Sequence, residues 1–176
     1  MSLTEQKTKE ELEALVRALS WNDAFGCYTR NGFEKVVWPE IADQARWIIY
    51  FDIDNMHDLN ASFGGYEAVD AMIKLGLSVL RWTDYVACQL QSGDEFLVCM
   101  IEGGPQSPIK EQRETLDPER LKERLSNSLK LAGLTATFAI VPVTSPDLLT
   151  NVKPAIDIVY QAKNNRPAGT GRRSTI

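Results

Sequence analysis

Residues 47–54 of the chain are Trp-Ile-Ile-Tyr-Phe-Asp-Ile-Asp, and this stretch decides the fold. Its first five residues form an unbroken apolar and aromatic run, which predicts a short strand that is buried on both faces. Two carboxylates, Asp52 and Asp54, come where the strand leaves the core. We therefore expect a central strand covered by helices, with acidic side chains at the edge of its sheet.

The patterns on either side of this strand predict further helices and strands. Apolar spacing and end signals predict helices over residues 5–20, 30–43, 66–82, 118–132 and 152–163. Strands are predicted over residues 85–91, 96–101 and 134–141, and a Gly-Asp pair between the first two indicates a tight hairpin. The order of these elements predicts an α/β fold of the α+β type, a ferredoxin-like sandwich in which helices cover a central mixed sheet.

The length of 176 residues suits one domain with appended segments. We expect a leading helix over residues 1–20, a main domain over 21–166 and a basic tail over 167–176. No apolar run approaches the ~18 residues that a membrane span needs. The net charge of −5 argues against broad binding of DNA or RNA, which needs clustered Lys and Arg. Three sparse cysteines form neither a disulfide framework nor a zinc pattern, so a reducing cytoplasm is the expected location.

The leading helix carries one apolar stripe. Its members, spaced three and four residues apart, are Leu12, Leu15, Val16 and Leu19. Such a stripe is typical of a connecting or dimerising helix, and also of a helix that packs on its own domain. The pattern leaves both possibilities open.

Two acidic clusters are the candidates for chemistry. Asp52 and Asp54 end the central strand, and a second pair, Asp94 and Glu95, lies at the tip of the predicted hairpin. If the two strands are neighbours, the carboxylates converge, and their repulsion is costly unless a cation lies between them. Oxygen ligands suit Mg²⁺ or Mn²⁺, and two such ions can support displacement at phosphorus. The structural alternatives are a helix cap at the strand end and a simple Gly-Asp turn.

Residues 92–96, Ser-Gly-Asp-Glu-Phe, resemble the Gly-Gly-Asp-Glu-Phe motif of the GGDEF family of diguanylate cyclases. Other segments resemble the family in the same order along residues 21–166. They are the opening segment with Asp23, Gly26, Arg30 and Phe33, the block Asp52-Ile53-Asp54 with Asn60, the strand Thr137-Phe138-Ala139, and the helix with Ala155, Tyr160, Ala162 and Lys163. The resemblance implies a nucleotide-cyclase sandwich in which the β-hairpin carries the motif.

The resemblance also implies a function: a homodimer that condenses two GTP molecules into cyclic di-GMP and releases pyrophosphate. Mg²⁺ or Mn²⁺ would be held by Asp52, the Ile53 carbonyl, Asp94 and Glu95, of which the last two would be the catalytic residues. GTP would be bound by Ser92, Gly93, Asn60, Asp70, His57 and Lys163. Asp70 takes the guanine-binding position only if one residue is inserted relative to the family, and otherwise Val69 takes it.

Residues 81–84, Arg-Trp-Thr-Asp, resemble the Arg-x-x-Asp site through which cyclic di-GMP inhibits members of the family. In that role the Arg81 guanidinium would make a two-point contact with a phosphate or a guanine of the product. A structural role is the alternative, in which Arg81 complements a helix dipole and Asp84 lies in a turn.

Three departures from the family pattern motivate other functions. Ser92 replaces the first motif glycine, His57 stands at the position of a phosphate-binding lysine, and Ala61 replaces an aspartate. A degenerate GGDEF domain with such changes would bind GTP or cyclic di-GMP as a signalling module without turnover. A third possibility is a structural or dimerising partner that acts through the leading helix. The sequence favours the cyclase.

Overall fold

The computed structural model describes residues 8–80, 84–88, 93–102 and 117–166. The predicted basic tail lies outside them. The strands of the described residues are β1 Trp21–Asn22, β2 Cys27–Tyr28, β3 Ala45–Ile53, β4 Asp84–Cys88, β5 Glu95–Ile101 and β6 Ala136–Pro142. The helices are α1 Lys9–Ser20, α2 Arg30–Gly32, α3 Trp38–Ile41, α4 Met56–Ser62, α5 Tyr66–Leu77, α6 Pro118–Leu131 and α7 Leu148–Asn164, with a π-helical turn Phe33–Val37 between α2 and α3. No helix in this part of the chain has both the length and the apolar content to cross a membrane.

The strands form one mixed sheet in the order β1-β2-β4-β5-β3-β6. β3 lies between β5 and β6 and is antiparallel to both, and β4 is antiparallel to β5. β2 is parallel to β4, where Tyr28 aligns with Ala87. The predicted fold class is therefore confirmed, because a central mixed sheet carries helices on both faces and the hairpin strand β5 lies beside β3.

The central strand is buried on both faces, as its unbroken apolar run predicts. Ile48 and Tyr50 pack in an apolar cluster with α7 and the helical segment 30–41. Ile49 and Phe51 pack in a second cluster with α5 and α6. Alternate side chains of one strand thus supply both layers of the core.

End signals in the sequence set the bounds of α6 as predicted. Asp117 caps the helix by accepting a hydrogen bond from the Arg120 amide at 3.0 Å, and Pro118 occupies the first turn. Gly133 follows the helix with a φ of +83°, a conformation that glycine adopts at little cost.

The helix predicted over residues 30–43 is helical through Ile41 but changes form inside. At the end of the π-helical turn the Trp38 amide donates to the Phe33 carbonyl, five residues back. Pro39 follows at once. In a regular α-helix its ring would meet the carbonyl four residues earlier, and it has no amide hydrogen to donate. The wider turn accommodates the proline without ending the helix.

Two helices differ from the prediction. α5 ends at Leu77 rather than at residue 82, because the hydroxyl and the amide of Ser78 both donate to the Leu75 carbonyl, at 2.6 and 3.1 Å. Local bonds of this kind close the last turn and compete with a continued helix. α4 has only seven residues and buries none of them, so no apolar stripe predicts it.

The predicted Gly-Asp hairpin lies partly outside the described residues, since residues 89–92 are not among them. β4 is described from Asp84 to Cys88, and Cys88 lies opposite Phe96 of β5. β5 also pairs with β3 along its whole length, down to the pair of Asp52 and Glu95. The pairing within the sheet therefore sets the register of the two hairpin strands, and the tight turn stays a prediction.

The leading helix α1 presents its apolar stripe to solvent. The stripe residues are 41–69% exposed, and they are Leu12, Leu15, Val16 and Leu19. The helix begins with a capping box between Thr8 and Glu11. At its end the Ser20 carbonyl accepts a hydrogen bond from the Thr29 amide at 2.9 Å. The helix is thus joined to the domain at its C-terminal end, while its stripe does not pack on the domain.

Candidate functional site

The register of the sheet places three polar side chains in one row. Asp52 of β3 lies directly opposite Glu95 of β5 on one side and Thr137 of β6 on the other. Asp52 and Glu95 are each 2% exposed. Because directly opposite residues project to the same face of a sheet, the row lies together on the face that α7 covers.

The last turn of α7 brings a lysine ammonium to this row. Lys163 donates to the Asp52 carboxylate and to the Ile53 carbonyl, the latter at 3.1 Å. The Oδ1 atom of Asp54 lies 3.4 Å from the same ammonium. Since Lys163 is only 4% exposed, these protein oxygens rather than water compensate its charge.

Arg166 extends this network to the next strand. Its Nη1 atom lies 2.9 Å from Asp54 Oδ1, and its Nη2 atom donates to the Thr137 hydroxyl at 2.5 Å. That hydroxyl in turn donates to Asp54 Oδ1 at 2.8 Å. The sequence prediction did not include Arg166 among the site residues. The sequence signal that could have identified Arg166 is its position three residues after Lys163, about one helical turn, which can place both side chains on the same side at the end of α7.

The backbone holds Asp94 at the same edge of the sheet. The Ile53 amide donates to the Asp94 carbonyl at 2.9 Å, one step beyond the pair of Asp52 and Glu95. Asp94 is half-buried, and Gly93 before it is exposed. The two predicted acidic clusters therefore meet at one edge, as the argument from neighbouring strands requires.

Bases of α7 and of the residues after it compensate part of the buried acidic charge at this edge. Opposed like charges destabilise a pair of strands, and Asp52 and Glu95 are opposed in a region of low dielectric. Within the described residues, Lys163 lies beside Asp52 and Asp54, and Arg166 lies beside Asp54. A cluster of acids of this kind can also attract a metal cation.

The oxygens of this edge suit a hard cation. Two of the predicted metal ligands, Asp52 and the Ile53 carbonyl, already converge on one positive charge, the Lys163 ammonium. Within the described residues, no three His, Cys, Asp or Glu side chains are grouped as a ready metal site. Carboxylate and carbonyl oxygens are nevertheless the ligands that Mg²⁺ and Mn²⁺ prefer, so these donors fit either ion once Lys163 moves away.

Three of the residues predicted to contact the nucleotide, His57, Asn60 and Asp70, lie on α4 and α5. The Oδ1 atom of Asn60 is buried and has no hydrogen-bond partner in the described part of the chain, and His57 is exposed. Val69 is fully buried in the core, whereas Asp70 is half-buried. Burial and, secondarily, the carboxylate of Glu67 raise the pKa of Asp70 above its ordinary value of 3.8. Of the two alternatives at the guanine position, only Asp70 has a side chain that a ligand can reach.

The predicted inhibitory site and the first motif residue fall mostly outside the described residues. Ser92 and Arg81 are not among those residues, and Asp84 is the first residue of β4. The inhibitory site and the role of the first motif residue therefore stay predictions.

A cleft between α7 and the sheet borders the buried row. Its walls combine apolar side chains with the charged groups described above. The lining residues are Tyr50, Asp52, Glu95, Ile156, Val159, Tyr160 and Lys163. Tyr160 is 52% exposed, so the cleft opens to solvent along α7.

Comparison with known proteins gives no family model and no curated protein that matches the chain. Solved structures do match. A microbial GGDEF domain that interacts with cyclic di-GMP gives a TM-score of 0.62 at 16% identity, over 88% of this chain and 97% of that one. The diguanylate cyclase SiaD from Pseudomonas aeruginosa, in complex with its activator SiaC, gives 0.65 at 18% identity, over 93% and 64%. The coiled coil and GGDEF domain of DgcB from Caulobacter crescentus, in complex with c-di-GMP, gives 0.64 at 15% identity, over 93% and 89%. These TM-scores show a shared fold and confirm the predicted architecture, and at identities of 15–18% they show the fold alone.

Proposed function

Because the chain has the fold of GGDEF domains, we propose that it is a diguanylate cyclase that condenses two GTP molecules into cyclic di-GMP. The acidic edge of the sheet is the observation that carries the proposal. Asp52 lies opposite Glu95, and the backbone bond of Ile53 brings Asp94 beside them. Such an edge is costly for folding alone and suits phosphates that arrive with metal ions.

In this proposal Mg²⁺ or Mn²⁺ is held by Asp52, the Ile53 carbonyl and Asp94, with help from Glu95. When bound, the ions neutralise phosphate charge and activate the attacking hydroxyl. Asp94 and Glu95 are the proposed catalytic residues, since they would lie next to the reacting phosphate. Asp54 has a supporting role, because Arg166 and Thr137 already hold its carboxylate.

The chain binds and orients the nucleotide through its own side chains and backbone. The buried Oδ1 atom of Asn60 accepts a hydrogen bond from guanine, and Asp70 is the second proposed guanine contact. No described atom lies within 4 Å of the place where a Cβ of Gly93 would stand, which supports close approach of a nucleotide to the backbone there. His57 and Lys163 are the proposed phosphate contacts.

Condensation of two GTP molecules needs two sites that face each other, so we propose a homodimer. Each copy would present one GTP, and each 3′-hydroxyl would attack the α-phosphate of the other. The exposed stripe of α1 supports this arrangement, because it offers an apolar surface on which the α1 of a second copy can pack. Activity would then rise with protein concentration.

A second candidate function is a module that binds GTP or cyclic di-GMP without turnover. One observation favours it. The Asp52 carboxylate already has a cation beside it, the ammonium of Lys163. Nucleotide binding would then persist while condensation fails.

Incubation of the purified chain with GTP and Mg²⁺ or Mn²⁺, followed by product analysis, tests the proposal. We expect cyclic di-GMP and pyrophosphate as products. Asp94→Asn removes one negative charge from the proposed metal site and should lower the rate by about 10²–10³-fold, the usual cost of losing one electrostatic contact to the transition state. Asp157→Asn is the matched control, because Asp157 is exposed on α7 and should leave the rate unchanged.

The outcomes separate the candidate functions. A folded chain that makes no cyclic di-GMP even at high concentration rules out the cyclase. If calorimetry then shows that GTP or cyclic di-GMP binds, the module without turnover is the remaining function. If neither nucleotide produces heat, both candidates fail and a structural partner remains.

A further inference from the structure

Lys163 lies on the oxygens that the proposed function assigns to the metal ion. Its ammonium contacts Asp52 Oδ1 and lies 3.1 Å from the Ile53 carbonyl oxygen. A divalent ion that binds these two oxygens would lie close to the ammonium, and the two positive charges would repel each other. Metal binding at β3 and the Lys163 contact therefore oppose each other.

Displacement of this ammonium by a metal ion alone is unfavourable. Lys163 is 4% exposed, and a buried charge that loses its partner is costly. Arg166 also remains 2.9 Å from Asp54 Oδ1, so the metal ion would enter beside a second positive charge. A nucleotide changes this balance, because its phosphates offer the displaced ammonium a new anionic partner.

We propose that Lys163 is an internal counter-ion that keeps divalent metal off Asp52 until a nucleotide polyphosphate binds. The inference rests on the proposed function for the identity of the metal ligands. Metal and nucleotide then bind cooperatively, and each raises the affinity for the other by the same factor. The chain without nucleotide binds a divalent ion only weakly.

Titration of the full chain with Mn²⁺ tests the proposal, with the free ion measured by electron paramagnetic resonance. One series contains Mn²⁺ alone, and the other adds a GTP analogue with a methylene bridge between its α- and β-phosphates. We expect the analogue to tighten Mn²⁺ binding by about 5–150-fold, the usual range for coupled ligands. The inference would be overturned if Mn²⁺ bound with equal affinity in both series and if Asp52→Asn abolished that binding.

Lys163→Met removes the ammonium and keeps an apolar stem of similar length. We expect this variant to bind Mn²⁺ more tightly than the unchanged chain when the analogue is absent. The analogue should add less affinity than in the unchanged chain, because its phosphates still coordinate the ion but no ammonium has to be displaced. Lys153→Met is the matched control, because Lys153 is exposed on the same helix and should behave as the unchanged chain. Thermal unfolding gives a second readout, since Mn²⁺ alone should raise the unfolding temperature of Lys163→Met more than that of the control.

The result for the inference is distinguishable from the result for the proposed function. Formation of cyclic di-GMP together with equal Mn²⁺ affinity in Lys163→Met and the unchanged chain overturns the inference alone. The opposite result is that the analogue binds to no variant while Lys163→Met still gains Mn²⁺ affinity. That result supports competition between Lys163 and the metal ion, and it counts against the cyclase. If Lys163→Met does not fold, Lys163→Gln replaces it, and the two series on the unchanged chain still decide the question.

Discussion

Gly93 has open space around it in the part of the chain that the structure describes. A Cβ atom at this position would meet no described atom within 4 Å. An alanine therefore costs the folded chain little, whereas a nucleotide that packs on the backbone would meet the added methyl group. We expect Gly93→Ala to keep the unfolding temperature and to weaken binding of the GTP analogue by about tenfold, which corresponds to about 1.4 kcal/mol of steric cost. Calorimetry and thermal unfolding measure both quantities, and an unchanged affinity would show that no ligand approaches Gly93.

Single residues of the site are predictable from sequence to different degrees. Asp52 and Asp94 stand out because each acid ends a recognisable local pattern, a buried strand or a hairpin tip. Lys163 is also predictable as a site residue, but the sequence assigned it to phosphate and the structure places it on Asp52. The buried partner of a lysine depends on which strand lies under the helix, and no local pattern carries that information. Arg166 escaped prediction for the same reason, since its bond to Asp54 is a tertiary contact.

The end of α1 meets α2 through a glycine, and this contact predicts a stability effect. A Cβ atom on Gly32 would lie 2.4 Å from the Ser20 carbonyl oxygen and 2.5 Å from the Ser20 Cα atom. These are backbone atoms, so Gly32→Ala can be accommodated only if α1 moves away from the domain. We expect a loss of about 1–3 kcal/mol in the free energy of unfolding, the usual cost of overpacking. Urea unfolding measures it.

Gly93→Ala is the matched control for this change, because the same methyl group there enters open space. Hydrogen exchange adds a local test. Gly32→Ala should speed exchange at the Thr29 amide, which donates to the Ser20 carbonyl at 2.9 Å. Equal unfolding free energies and equal exchange in the two variants would mean that α1 does not depend on this close approach.

Elements with their own end signals are the ones that the sequence predicts well. α6 has an N-cap aspartate, a first-turn proline and a glycine after its last turn, and its bounds follow from them. α4 is the opposite case. It buries none of its seven residues, so the sequence has no apolar stripe from which this helix could be predicted.

The charged cluster of the site is assembled from three stretches that are far apart in sequence: residues 52–54, 94–95 and 163–166. Each stretch is predictable locally, as a strand end, a hairpin tip and a helix end. Their contacts follow from the strand order β5-β3-β6 and from the face on which α7 packs. The sequence therefore predicts most of the residues that meet at this edge, though not Arg166, while the ion pairs among them depend on the topology of the sheet.

The proposed dimer predicts a concentration-dependent effect at α1. Leu15 and Leu19 are 41% and 69% exposed, so their replacement by glutamate removes no contact of the core. The double variant Leu15→Glu, Leu19→Glu should keep the free energy of unfolding within about 0.5 kcal/mol, as is usual for surface changes. Its charges would repel across a dimer of α1 helices. We expect less dimer in sedimentation analysis, and less cyclic di-GMP per chain at low protein concentration, with recovery as the concentration rises.

Glu10→Gln controls for the change of charge on the same helix, since Glu10 is exposed and lies outside the stripe. This variant should dimerise and turn over GTP as the unchanged chain does. A double variant that stays dimeric and equally active would show that a second copy does not pack on the stripe. A variant that becomes monomeric but keeps its activity at every concentration would count against the homodimer as the catalytic form, because one chain presents only one GTP in the proposed reaction.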